Sequence, residues 1–210
     1  LEAGDHSQRG GMFDGLVGRA IEHTASLRMI PGLQVIRPAD GLETALAWDS
    51  ALRRTDGPTA LILSRQNLPV IARADSFHNA DALRGGYCVT PSQDAPDVVV
   101  MASGSEVHVA QEAVAILAER GVKARILSVP CLERFMSQPD SYRAGLLPAG
   151  VPRVVVEAGR GESWGRLLGC DGLFIGVEHF GASAPGDVLA QKFGLTAPQV
   201  AEKIAGFLTA

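Results

Sequence analysis

The chain has 210 residues, with 19 lysines and arginines against 23 aspartates and glutamates, for a net charge of −4 at neutral pH. That balance argues against a nucleic-acid or anionic-membrane binder held by bulk charge. Hydrophobic residues at 46% and charged residues at 20% exclude wholesale disorder.

No apolar run reaches the roughly 18 residues of a membrane span. Residues 1–11 lack the basic and apolar regions of a signal peptide, and Cys88, Cys131 and Cys170 are too far apart to suggest a disulfide framework. These features lead us to expect a cytoplasmic protein.

In chain order, the first element is a short apolar run over 34–36, ended by Arg37-Pro38. Proline biases the residue before it towards an extended conformation. Asp40 then reads as a helix N-cap with Glu43 as its capping-box partner. The helix predicted over 41–54 carries Leu42, Ala45, Leu46 and Leu52 near one face, and Asp56-Gly57-Pro58 breaks it. Residues 59–63 are continuously apolar, which predicts a buried strand.

Residues 71–96 lack a long periodic segment and read as a linker, with one short strand near 86–90. Strand and helix patterns then alternate. Strands are predicted over 97–102, 123–129, 153–157 and 172–177, and helices over 105–120, 131–138, 140–146, 163–168, 186–193 and 197–208. Gly121 stands where a C-cap glycine is expected. This alternation predicts an α/β fold with a mostly parallel sheet, whose functional edge is the carboxyl end of its strands.

Four motifs bear on chemistry. Arg65 in Ser64-Arg65-Gln66-Asn67 follows a strand directly. Its planar fork suits a phosphate, or equally an ion pair within a domain interface. Ser103-Gly104-Ser105-Glu106 could cradle a phosphate at a helix N-terminus, but Ser/Glu capping accounts for it. No two of His6, His23, His78, His108 and His179 have metal-ligand spacing; His108 reads as a surface or packing residue, and His179, after Glu178 at the end of a predicted strand, as the one with more claim to function but first as a structural hydrogen-bonding residue. Cys131 sits at a helix start without an evident base and reads as a packing residue.

Several segments, in collinear order from about Glu22 to the end of the chain, resemble transketolase. They are EHTASLRMIPGLQVIRPADGLETALAW, DGPTALILSRQNLP, ASGSEV, SVPCLERF, VVVEAG and FGASAPGDVLAQKFGLT. The pair SRQNLP and FGASAPG is specific to transketolase-like enzymes.

The resemblance implies an incomplete thiamine-enzyme pyrimidine domain over 21–70, a linker over 71–96 and a three-layer α/β C-terminal domain over 97–210. It also implies transfer of a two-carbon ketol unit between sugar phosphates, using thiamine diphosphate and Mg2+ in a homodimer. Arg65 matches the family arginine that grips the substrate phosphate. The cofactor-holding groups of the family lie upstream of the matched region. The chain by itself is therefore expected to bind no cofactor and to be inactive, needing the upstream domains and a second subunit. The alternatives are a non-catalytic dimerisation or regulatory module, or the C-terminal part of another thiamine enzyme, such as a deoxyxylulose-phosphate synthase or a 2-oxoacid dehydrogenase subunit.

Residues 1–20 read differently. His6 and Asp14 fall in the register of the family's substrate-binding His and Asp. Yet if residue i is paired with residue 35 − i, every pair from Leu1–Gln34 to Gly15–Ala20 permits reverse-complementary codons. The segment is therefore expected to be a non-native, antisense copy, and neither His6 nor Asp14 is carried over as a site residue.

Overall fold

The computed structural model describes residues 21–64, 66–74, 76–89, 95–182 and 184–209. Residues 1–20 and Arg65 lie outside the described residues.

The first piece is small. Helix α1 (His23–Arg28) leads to strand β1 (Gln34–Ile36), helix α2 (Gly41–Arg53) and strand β2 (Thr59–Leu61). β1 and β2 pair in parallel, Gln34 with Thr59 through Ile36 with Leu61. Asp40 caps α2 as the sequence predicts, accepting the Glu43 N–H at 2.9 Å. Glu43 reaches back one residue further than an ordinary capping box, to the Ala39 N–H at 2.7 Å.

The predicted leucine face of α2 is not the buried one. Glu43, Ala47 and Ser50 face inwards, whereas Leu52 is 79% exposed. The helix is rotated so that Glu43 meets hydrogen-bond donors from the sheet described next, a partnership that outweighs leucine periodicity.

The second piece opens with helix α3 (Asn79–Ala82) and strand β3 (Tyr87–Cys88), both inside the predicted linker. It continues with β4 (Val98–Ala102), α4 (Glu106–Glu119), β5 (Ala124–Ser128), α5 (Leu132–Met136), α6 (Asp140–Leu146) and β6 (Arg153–Val156). A 3-10 turn (Glu162–Trp164), α7 (Gly165–Leu168), β7 (Leu173–Ile175), α8 (Gly186–Phe193) and α9 (Ala197–Leu208) complete it. α4 ends with Gly121 at φ +80°, the left-handed conformation expected of a C-cap glycine.

The strand order is β3-β5-β4-β6-β7, parallel except for β3 at the edge. Strand side chains alternate between two apolar layers. Val98, Val100, Ile126 and Val154 pack with α4, α8 and α9. Val99, Met101, Leu127 and Val155 pack with Phe135, Trp164 and Leu167 on the other face. This is the three-layer arrangement that continuous apolar strands demand, since both faces must be covered.

Successive strands build outwards from β4 in opposite directions, β5 on one side and β6 on the other. In open α/β sheets the carboxyl end of such a strand is where ligands bind.

Candidate functional site at the sheet edge

At the carboxyl end of β4, the crevice is filled by the chain itself. Arg37, which follows β1, inserts its guanidinium there. It donates to the Ser103 hydroxyl at 3.0 Å and to Glu106 Oε2 at 2.8 Å, and lies 3.1 Å from Glu157 Oε2. Gly104 is left-handed at φ +58°, and a Cβ there would stand 3.3 Å from the Arg37 guanidinium. Its N–H donates to the Arg37 carbonyl at 3.0 Å. Neither sequence reading of this turn holds: Ser105 makes no capping bond, and the pocket it helps form holds a cation. Ser105 donates instead to Glu106 at 2.7 Å, completing that carboxylate's partners.

Arg28, at the end of α1, grips the same Glu157 from the other side, with contacts of 2.8 and 3.2 Å. Its guanidinium lies 5.3 Å from the Trp164 ring centre. All four charged side chains are at most 5% exposed. Burial pushes the Glu157 carboxyl up, but Arg28 and Arg37 beside it prevail and hold it at about 2.

A second buried cluster lies three and six residues after Arg37. Asp40 takes a bidentate pair from Arg73, at 2.8 and 3.0 Å, and also accepts the Ile71 N–H. Burial pushes Asp40 up, and the Arg73 bond with the two backbone donors pulls it below its ordinary value. Glu43 accepts from the Tyr87 and Ser128 hydroxyls, each at 2.7 Å. Arg73 is only a distant neighbour of Glu43, at 3.9 Å. Burial therefore raises the Glu43 pKa, and its hydroxyl donors offset that only in part.

The opposite side of this turn faces an open cleft of about 460 Å³. Pro38, Asp40, Gly41 and Thr44 form one wall, and Leu63, Ser64, Gln66, Asn67 and Leu68 the other. The residues flanking Arg65 thus line a polar cleft just beyond β2.

The remaining candidates behave as structural groups. His108 Nε2 donates to the Ala39 carbonyl at 2.8 Å, and His179 Nδ1 bonds the neighbouring Phe180 carbonyl at 2.9 Å. Cys131 is buried, and burial, with Glu133 beside it, pushes its thiol up to about 12. Arg28, Arg37 and Glu157 carry no assignment in the sequence, and Ser103 is placed only in a turn read as an anion cradle or a cap. The signal was a polar or charged residue closing a wholly apolar run, as in QVIR, VVVMAS and VVVE.

Two family profiles match this chain. "Transketolase-like TK C-terminal domain" covers residues 85–196, more than half of the molecule. The chain belongs to the transketolase family. "Transketolase, pyrimidine binding domain" matches residues 3–70. The plasmid-encoded transketolase of Cupriavidus necator is 50% identical over 188 residues, 90% of this chain but 28% of that protein. The Pichia stipitis transketolase complexed with sedoheptulose 7-phosphate superposes with a TM-score of 0.85 at 35% identity, covering 93% of this chain and 28% of that one. A structure described as "Split gene transketolase, inactive beta4 tetramer" gives a TM-score of 0.71 at 25% identity, covering 90% of this chain and 62% of that one. The chain therefore spans about 28% of the length of the first curated transketolases it matches.

The donor set of the cleft does not fit the thiamine diphosphate and metal of transketolases. Among its described lining residues the one carboxylate, Asp40, is already taken by Arg73. Among the described residues, no three His, Cys, Asp or Glu side chains are grouped to hold a metal ion. The cleft's described polar groups besides Asp40 are the Thr44 and Ser64 hydroxyls and the Gln66 and Asn67 amides, which can hydrogen-bond a polar ligand. No helix among the described residues is long and apolar enough to cross a membrane.

Proposed function

We propose that this chain is the last third of a cytoplasmic transketolase, which moves a two-carbon ketol unit between sugar phosphates. In this reading 21–70 is the tail of the pyrimidine domain, 71–96 the linker and 97–210 the C-terminal domain. The observation that carries the proposal is the match of both domain families along the chain, with Ser64, Gln66 and Asn67, the neighbours of Arg65 in sequence, lining a polar cleft.

Arg65 binds the substrate phosphate there through a charge-assisted fork. Because the phosphate does not react, this contact contributes similarly to ground and transition states, and its loss raises KM more than it lowers kcat. Thiamine diphosphate and Mg2+ are held by the upstream domains and a second subunit, where the cofactor supplies the carbanion chemistry.

The isolated chain is therefore inactive. The split-gene relative described as an inactive tetramer supports this reading. So does the exposure of Met29, Trp48, Leu52 and Val70, each at least 50% exposed within 21–70, as expected of a domain lacking part of its cover.

The test is ketol transfer from xylulose 5-phosphate with thiamine diphosphate and Mg2+ present. The chain alone should give no turnover, and mixing with the upstream two-thirds of a close relative should restore it. Turnover by the chain alone would overturn the proposal.

Residues 1–20 we infer to be a non-native inverted copy, on the strength of their codon pairing with residues 20–34. The family match from residue 3 is the competing account. Sequencing the source locus across Glu22 decides: an inverted repeat supports the inference, and one continuous native frame without it refutes it.

A further inference from the structure

The 37–44 turn has two sides. On one side Arg37, Asp40 and Glu43, spaced three residues apart, are buried side chains of ionisable type, Asp40 also bordering the cleft. Arg37 is held by Ser103, Glu106 and Glu157, and Glu43 by Tyr87 and Ser128. The backbone is held as well: the Arg37 N–H donates to the Pro130 carbonyl at 2.8 Å, and the Ala39 carbonyl accepts from His108. On the other side Pro38, Gly41 and Thr44 form a wall of the cleft. The facing wall, 63–68, leaves β2, whose register is fixed on β1 with Ile62 N–H bonded to the Ile36 carbonyl at 2.9 Å. Any movement of the turn relative to β2 changes the width of the cleft.

We propose that the C-terminal domain is a positioning platform for this cleft. Ser103, Glu106 and Glu157 act through Arg37, and Ser128, together with Tyr87 of the linker, through Glu43, to fix the wall against which a sugar phosphate binds. The proposal rests on the reading of the cleft as the phosphate site. It gives the C-terminal domain a direct part in substrate affinity, although none of its described residues lines the cleft. Displacements of about 1 Å are enough to matter at such sites.

A purely structural interface, when weakened, lowers the amount of folded enzyme and affects all substrates alike. A platform affects the phosphorylated substrate selectively. The experiment uses the intact enzyme and compares KM for xylulose 5-phosphate with KM for xylulose, which lacks the phosphate. Tyr87→Phe combined with Ser128→Ala removes both hydroxyls from Glu43 without touching the cleft.

We expect the KM for xylulose 5-phosphate to rise about threefold or more, with little change for xylulose. A folded variant that keeps the wild-type ratio of the two KM values overturns the proposal. If the double variant does not fold, Ser128→Ala alone, which leaves Tyr87 donating, is read by the same criterion. Arg65→Ala separates the two levels. If it leaves the ratio unchanged, the phosphate reading of the cleft fails. If it collapses the ratio while the Tyr87/Ser128 variant does not, the platform alone fails.

Discussion

Glu157 and Glu43 are both buried at the same sheet edge, 1% and 2% exposed, and their surroundings drive their ionisation in opposite directions. Glu157 lies between two guanidinium groups, with a serine hydroxyl donating to it at 2.7 Å. Glu43 is met by neutral donors, with the nearest guanidinium nitrogen 3.9 Å away. Burial costs both carboxylates; only Glu157 has cations close enough to reverse the effect. One glutamate locks the interface as a charge, and the other tunes it through hydrogen bonds.

The strongest way to break this comparison is Glu157→Ala. It leaves Arg28 and Arg37 buried without their shared counter-ion, which typically costs about 3–5 kcal/mol. Urea unfolding should show a loss of that order. A loss below about 1 kcal/mol would mean the arginines find water or other partners.

Next in size is the acid limb. The folded pKa of Glu157, about 2, lies below the ordinary value of 4.5. Its contribution is therefore complete above 4.5 and is lost as pH falls from there towards 2, amounting to about 3 kcal/mol. Glu43 has the opposite sign. Its pKa is raised, so its contribution is complete below 4.5 and is lost as pH rises through the raised value. Stability measured against pH should show both limbs. Glu157→Gln should flatten the acid limb, and Glu43→Gln the other.

Tyr87→Phe removes one donor from Glu43 and should cost about 1–2 kcal/mol. The cost should be greater at pH 8 than at pH 4, because the hydroxyl bond favours the charged form. An equal cost at both pH values would mean that Glu43 keeps one protonation state throughout.

The chemistry of single segments made the strands and caps legible in sequence. VVVMA and the VVV of β6 are buried on both faces, and Pro38, Asp40 and Gly121 mark boundaries by what their backbones and side chains can do. The interface was not legible in this way. Arg37 and Glu157 are separated by most of the C-terminal sheet, and nothing local links them. The buried face of α2 was misjudged for the same reason. Ala47 and Ser50 turn inwards because Glu43 has distant donors to reach, and leucine spacing carries no trace of Tyr87 or Ser128. The Ser103–Glu106 turn resembles an anion cradle until the guanidinium that fills it is known.

The Arg37 guanidinium of the first family domain, held in the sheet edge of the second, joins the two. A double-mutant cycle between Arg37→Met and Glu106→Gln, followed by urea unfolding, tests this link directly. A coupling energy of about 2 kcal/mol or more is expected, since Arg37→Met leaves Glu106 buried without its cation and the double variant releases it, whereas Glu106→Gln alone leaves Arg37 its contact with Glu157. Additive effects, within about 0.5 kcal/mol, would contradict it.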